Sequence, residues 1–224
     1  MKTIFGVSST IPSNTRLTNG YTMYDWVMRQ RCFPAFWGRN LTGDSAITPD
    51  EIEFLHSKDC KILLVFDELT EMKVSSNNGE DDALKAVEAA RMLNVPECME
   101  IVIMANIHQD WSVNHNWMLS FAYTIHTHGY RPGFIGNTDS SKNFNFDRQY
   151  SHYIQALSEE NLFDTVICST EPKLVDMPIE WTPFCPSAID QCDVDLWNCG
   201  MINFGSYKVD EVYTNSSTSL EFMW

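Results

Sequence analysis

The chain alternates between two kinds of segment: short apolar runs, and longer stretches in which apolar residues recur every three or four positions. The short runs are continuously apolar and rich in β-branched and aromatic side chains. This pattern is typical of strands that are buried on both faces of a parallel sheet. The eight runs that we predict to be strands span residues 3–9, 33–40, 60–68, 99–107, 130–137, 163–170, 180–188 and 193–200.

The longer stretches predict amphipathic helices with recognisable ends. One begins at Thr48, the expected N-cap, with Pro49 at the first helical position and Glu51 three residues after the cap. Thr48 and Glu51 together have the sequence of a capping box, in which each side chain accepts a hydrogen bond from the other residue's backbone N–H. The predicted helices lie within residues 21–31, 48–58, 79–96, 112–129 and 147–161.

Strands that alternate with helices across short linkers predict parallel strands with right-handed crossovers. About eight such units match a single (β/α)8 barrel of the TIM type, which we predict to occupy residues 1–224 as one domain. The strand spacing is tight for that fold, so some helices of the C-terminal half are expected to be short or missing. A doubly wound open sheet is the alternative, but no G-x-G-x-x-G follows any strand. The last residues, "TNSSTSLEFMW", either fray or dock onto a neighbouring element.

Charge and cysteine content narrow the possible partners. The formal net charge is −15 and no Lys/Arg patch occurs, which argues against nucleic acid and anionic membrane surfaces. No apolar run has the length of a membrane span, and the apolar stretch near the N-terminus is too short for a signal peptide. The seven cysteines form no C-x-x-C pair. Cysteines without such pairs predict a reducing compartment and no structural metal site. We therefore predict that the chain as given is cytoplasmic, or is the mature piece of an exported protein. No cofactor is predicted. The oligomeric state is left open.

Polar residues cluster where the predicted strands end, which is where barrels of this type bind ligands. Amides, carboxylates, an arginine and tryptophans together suit a sugar, because hydroxyl groups need donors and acceptors and sugar faces pack on indole rings. Other roles are equally simple. Trp37 and Trp197 could be core residues, and Arg39 could neutralise one of the carboxylates Asp67 and Glu68. The predicted substrate-binding residues are Trp37, Arg39, Asn40, Asn106, His108, Asn137, Trp197 and Asn198. The predicted catalytic carboxylates are Asp67, Glu68 and Glu171, with Asp110 and either Asp210 or Glu211 as further carboxylates near the site.

Several segments resemble one known family. "FPAFWGRNLTG…ITPDEIEFLHSKDCKILLVFDE" is similar to the second and third strands of the glycoside-hydrolase-like barrels once called domain of unknown function 1906. Collinear similarity continues in "GEDDALKAVEAARMLNVPECMEIVIMANI", "FAYTIHTHGYRPGFIGN", "DVDLWNCG" and "VDEVYT", over about residues 30 to 213. These barrels are related to the muramidases of glycoside hydrolase family 25. The resemblance implies a polysaccharide ligand from the bacterial cell wall or a related source.

The chain departs from the muramidase pattern at two strand ends. In the muramidases an aspartate ends the first strand and an Asp-x-Glu pair ends the fourth, whereas this chain has "FGVSST" and Asn106-Ile107-His108. Glu171 ends the sixth predicted strand, where those relatives keep an acidic residue. Two functions therefore stay open. The first is a glycosidase in which Glu171 or Glu68 is the general acid and Asp67 the second carboxylate. The second is a catalytically inactive barrel that binds a saccharide or a protein through the same face.

Overall fold

Eight strands close into a barrel in the computed structural model, which describes residues 3–98, 100–139, 144–160, 163–170, 180–190, 193–204 and 207–224. Neighbouring strands in the chain are neighbours in the barrel, and β8 pairs with β1 to complete the ring. The strands are β1 (Ile4–Ser8), β2 (Phe36–Asn40), β3 (Lys61–Phe66), β4 (Val102–Asn106), β5 (Arg131–Gly136), β6 (Val166–Thr170), β7 (Leu196–Phe204) and β8 (Tyr207–Thr214).

Strand direction departs from the predicted TIM pattern at β8. Strands β1 to β7 run parallel, but β8 is antiparallel to both β7 and β1, whereas all eight strands of a TIM barrel are parallel. Only two residues separate β7 from β8, so a hairpin replaces the last helical crossover. The α/β fold and the closed eight-stranded barrel are confirmed. The uniform strand direction is not.

The seventh predicted strand, 180–188, is wrong. That segment is irregular. It contains Pro183 and Pro186, which have no N–H to donate to a central strand ladder. The run at 193–200 corresponds instead to the seventh strand, and the eighth strand lies further along the chain at Tyr207–Thr214.

Six α-helices occur in the described part of the chain, and their apolar faces pack on the outside of the barrel. All five predicted helices are confirmed, and a single additional turn follows β3. The N-cap at Thr48 is also confirmed, because its hydroxyl accepts from the Glu51 N–H at 3.3 Å. The helices are α1 (Met23–Gln30), α2 (Pro49–Ser57), α3 (Glu71–Val74), α4 (Glu80–Met92), α5 (His115–Thr127) and α6 (Asn145–Glu160).

Two apolar clusters form the core. One fills the barrel and includes Phe36, Val65 and Met104, while the other joins the barrel wall to the helices and includes Trp117. Within the barrel the large Phe36 ring is accommodated by Gly6 on β1. A Cβ added at Gly6 would lie 2.4 Å from the ring, closer than any real contact. The barrel therefore pairs a large side chain with an empty position on the adjacent strand.

This pairing predicts the effect of Gly6→Ala. The extra methyl group must displace Phe36 in a packed interior, and overpacking of this kind costs about 1–3 kcal/mol of the free energy of unfolding. Chemical denaturation would measure the loss. The double variant Gly6→Ala/Phe36→Leu should recover part of it, because the smaller side chain makes room. A Gly6→Ala protein as stable as the wild type would show that the interior is not filled in this way.

The C-terminal residues close the N-terminal end of the barrel. Trp224 exchanges two backbone hydrogen bonds with Ile62, at 2.7 and 3.0 Å, and Val102 N–H donates to the Phe222 carbonyl at 2.7 Å. Met223 is buried within the barrel cluster. Of the two expectations for this tail, docking is confirmed. The opposite end of the barrel is therefore the one that stays open.

Candidate functional site

A cavity of about 400 Å³ opens at the C-terminal ends of the strands, and we call it the mouth. Seven of the eight strands place a polar side chain there, on the strand or directly after it, and β5 contributes Ile135. The seven polar residues are Ser8, Asn40, Asp67, Asn106, Thr170, Asn198 and Asp210. Ser9, Thr10, Val65, Met201, Lys208 and Val209 complete the lining.

The pleat of each strand decides which side chains reach the mouth. Successive residues of a strand point to opposite faces, so alternate positions point into the barrel. On β2, Phe36 packs in the barrel interior and Asn40 lines the mouth, while Trp37 packs with the outer cluster. Gly38 shares the inward face, where an added Cβ would lie 2.8 Å from Ser8 Oγ. Close packing against Ser8 explains the glycine at this position.

Arg39, which we predicted to bind substrate, faces outward and does not line the mouth. Its side chain is fully buried between the barrel and α2, where Nε lies 2.9 Å from a Glu51 carboxylate oxygen. The guanidinium also donates to the backbone carbonyls of Ser9 and Ser45. Burial lowers the pKa of Arg39, and the Glu51 charge opposes that shift. The arginine thus neutralises Glu51 rather than Asp67.

Glu51 serves the barrel rather than the helix cap that its sequence position predicts. Besides Arg39, its carboxylate accepts from the backbone N–H of Ser13 at 2.6 Å. The side chain is fully buried. The ion pair therefore fixes the loop after β1 to α2 through one shared carboxylate.

The two tryptophans predicted as sugar platforms also face the helices. Trp37 is fully buried with its ring 5.8 Å from that of Tyr24, and Trp197 packs edge-on against Trp181 at 5.9 Å. Both occupy outward positions of their strands, where apolar burial rather than ligand contact determines the residue type. Both tryptophans therefore belong to the buried core, and neither lines the mouth.

Three further predicted residues lie outside the mouth lining. Glu68 is exposed beside the loop after β2, and His108 is exposed with Nδ1 3.6 Å from Asp110. Asn137 is buried and holds its own loop, donating to Gln109 at 3.1 Å and accepting from the Asp139 N–H at 2.9 Å. Glu171 lies outside the described residues.

Four predicted residues do come together in the mouth, and two of them form a pair. The Asn106 amide donates to Asp67 Oδ1 at 2.7 Å. Across the β7–β8 pair, the Asn198 side-chain amide donates to Asp210 Oδ2 at 3.4 Å, and the Gly200 N–H donates to Asn198 Oδ1 at 2.9 Å. Each carboxyl group of the mouth thus has an asparagine from the neighbouring strand beside it.

The two carboxyl groups differ in their surroundings. Asp67 is exposed, whereas burial raises the pKa of Asp210 and the Asn198 hydrogen bond only partly opposes that shift. Strands β3 and β8 stand three positions apart around the ring of eight, so the two groups approach the cavity from different sides. The mouth thus contains an exposed aspartate and a half-buried one whose raised pKa lets it take up a proton more readily than usual.

Sequence reasoning missed Lys208 and Met201, and it left Asp210 and Glu211 as alternatives. The structure places Asp210 in the mouth and turns Glu211 outward to pair with Arg31 at 2.9 Å. The signal was available in the alternation of "YKVDEVYT", where positions 208, 210 and 212 share one face.

A larger cavity, about 820 Å³, lies near the opposite end of the barrel beside α6. Arg131, Asp164, Asp193 and Asp195 supply its charged lining. Ligands of α/β barrels meet the C-terminal ends of the strands. The smaller cavity, where the polar strand ends converge, is therefore the candidate functional site.

Asp195 in this second cavity predicts a pH dependence of stability. Burial raises its pKa from 3.8 to about 6, against the opposing effects of the Ile167 N–H and the Arg131 charge. The folded state therefore binds more protons than the unfolded state between these values, so stability falls as the pH rises through this window. Relative to Asp195→Asn, the free energy of unfolding of the wild type should fall by up to about 3 kcal/mol between pH 4 and pH 6, at 1.36 kcal/mol per pKa unit. Denaturation curves across that range check this, and parallel curves for both proteins would contradict it.

Comparison with known proteins places the chain among α/β barrels. No protein-family model and no curated protein matches it. An uncharacterised B. stearothermophilus protein has a similar structure, with a TM-score of 0.81 at 23% identity over 99% of this chain and 100% of that one.

A Tat-secreted protein of Mycobacterium tuberculosis is also similar. Its complex with L-tartrate has a TM-score of 0.58 at 13% identity, covering 96% of each chain. Its complex with HEPES has a TM-score of 0.57 at 13% identity, covering 95% of this chain and 94% of that one. At these identities the similarity establishes the fold alone. Separately, none of the described helices combines the length and apolarity that crossing a membrane requires.

Proposed function

We propose that the protein binds a saccharide in the mouth of its barrel. The observation that carries this proposal is that seven strands each place a polar side chain at one cavity, so that these side chains form a ring around it. Amides and carboxylates provide the paired donors and acceptors that neighbouring sugar hydroxyls require. The Thr170 hydroxyl has no hydrogen-bond partner within the described ranges and adds a further donor and acceptor. A cavity of about 400 Å³ falls within the usual size range of small-ligand sites, about 300–1,000 Å³.

The resemblance of the sequence to glycoside-hydrolase-like barrels supports a polysaccharide of the bacterial cell wall, or a related glycan, as the source of this ligand. The similar M. tuberculosis protein was crystallised with L-tartrate, a small molecule with adjacent hydroxyl groups. A polyhydroxylated ligand is consistent with the polar mouth of this chain.

Binding of muropeptide-derived disaccharides and chitin oligomers, measured by calorimetry, tests the proposal. Asn106→Ala and Asn198→Ala should each weaken binding about tenfold, because each removes a donor that also holds a carboxyl group of the mouth; tenfold corresponds to about 1.4 kcal/mol. Asn116→Ala is the matched control, since Asn116 is exposed in the first turn of α5. The absence of saturable binding to any of these sugars, or equal affinity in all four proteins, would contradict the proposal.

Glycoside hydrolysis is the second candidate function, and the contrast between the two carboxyl groups favours it. A glycosidase needs one protonated and one ionised carboxyl group on either side of the bond that it cleaves. Asp210, whose pKa burial raises, suits the general acid. Asp67, exposed and hydrogen-bonded to Asn106, suits the base or nucleophile. In this assignment Asp210 takes the role that the sequence suggested for Glu68 or Glu171.

A further inference from the structure

The mouth contains a cation that the predicted site did not include. Lys208 lies on β8 two residues before Asp210, in the direction of the β7–β8 turn, and both line the cavity. Two residues of a strand span about 7 Å, so the lysine lies outside the carboxyl layer, toward the rim. Its neighbour across the hairpin is Asn203.

Lys208 is the one cationic residue among the described residues that line the mouth. It is exposed, and it takes part in no ion pair with any residue that the structure describes. By contrast, Arg31 pairs with Glu211 and Arg39 pairs with Glu51. The ammonium group of Lys208 and its three donors are therefore available to a ligand.

The arrangement of charge divides the mouth into two levels. The inner level consists of hydroxyl, amide and carboxyl groups, which pair with sugar hydroxyls and repel an anion. The outer level has the Lys208 ammonium. The half-exposed Met201 pairs with Asp210 across the β7–β8 ladder and offers an apolar contact for the face of a sugar ring. A ligand with hydroxyl groups at one end and a carboxylate at the other matches both levels.

We infer that the saccharide is acidic, and that Lys208 binds the carboxylate of a hexuronate-type sugar at the rim of the mouth. This inference rests on the proposed saccharide binding. With a net charge of −15, the protein as a whole repels anions, so a local cation is needed to retain one. The carboxyl layer beneath the lysine orients the sugar with its carboxylate outward.

The test compares a hyaluronan tetrasaccharide with the same tetrasaccharide whose carboxyl groups have been reduced to alcohols, using calorimetry at low salt. The wild type should bind the acidic form about tenfold more tightly, and added salt should reduce this preference. Lys208→Gln should abolish the preference by lowering affinity for the acidic form. Lys208→Arg should retain it. Lys85→Gln, on the exposed surface of α4, is the matched control and should behave as the wild type.

The outcomes separate the two proposals. Equal affinity of the wild type for the two forms, or a preference that survives Lys208→Gln, overturns the acidic-sugar inference and leaves saccharide binding intact. Failure to bind either tetrasaccharide, together with failure to bind the muropeptide and chitin oligomers, overturns both.

Discussion

Replacement of Arg39 by methionine is expected to cost about 3–5 kcal/mol of the free energy of unfolding. The substitution leaves the Glu51 carboxylate fully buried without its cation, and it removes donors from the carbonyls of Ser9 and Ser45. These contacts hold the loop after β1 and the loop after β2 in place. Chemical denaturation of the variant beside the wild type measures the loss.

Two controls make this result specific to the buried pair. The double variant Arg39→Met/Glu51→Leu should be more stable than Arg39→Met alone, because neither charge then stays buried and unpaired. Arg91→Met breaks the exposed pair of Arg91 with Glu97, so its denaturation midpoint should stay close to that of the wild type. If Arg39→Met lowers the free energy of unfolding no more than Arg91→Met does, then Arg39 does not stabilise the barrel as described.

Replacement of Asp210 by asparagine is expected to lower glycoside hydrolysis by about 10²–10⁴-fold, the usual contribution of a general acid. Saccharide affinity should change far less, because asparagine keeps the shape and polarity of the side chain. Since burial raises the pKa of Asp210, its protonated form persists to higher pH than an ordinary aspartic acid. Activity should therefore decline as the pH rises through that pKa, and the variant should lose this decline. Turnover of peptidoglycan or chitin-type oligomers across pH gives both readings.

The controls for this prediction separate the carboxyl groups. Glu68→Gln should leave turnover unchanged, because Glu68 is exposed and outside the mouth lining. Glu171→Gln tests the acid that the sequence resemblance suggested. Equal turnover in Asp210→Asn and wild type would remove Asp210 from the mechanism. Binding without turnover in the wild type would assign the mouth to recognition alone.

Most of the barrel could be predicted from the sequence because its signals are local. Continuous apolar runs located β1 to β6, and helical periodicity with caps such as Thr48 located the five long helices. The end of the barrel was harder. The apolar run at 180–188 was predicted to be a strand despite its prolines. In "YKVDEVYT", polar and apolar residues alternate because one face of the strand is polar and faces the mouth. No helix precedes the antiparallel closing strand β8, so the strand–helix alternation that located the other strands gives no signal for it.

The site was predicted in part, and strand parity explains the division. Strand ends identified Asn40, Asp67, Asn106 and Asn198, all of which reach the mouth. The same rule also selected Arg39, although two adjacent residues of one strand cannot share a face. Choosing between Arg39 and Asn40 depended on Glu51, a buried partner twelve residues along the chain on another element. A single sequence does not reveal such a partner.

Chemical-shift mapping of saccharide binding by NMR tests the central claim most directly, because it locates a ligand on the barrel without assuming that the protein is an enzyme. Titration with chitin oligomers or hyaluronan tetrasaccharide should shift the side-chain amide signals of Asn40, Asn106 and Asn198, which surround the mouth. Signals of residues beside the opposite cavity, such as Arg131 and Asp195, should stay in place. Shifts confined to that opposite cavity, or no shifts with any of the sugars, would contradict a saccharide site at the mouth.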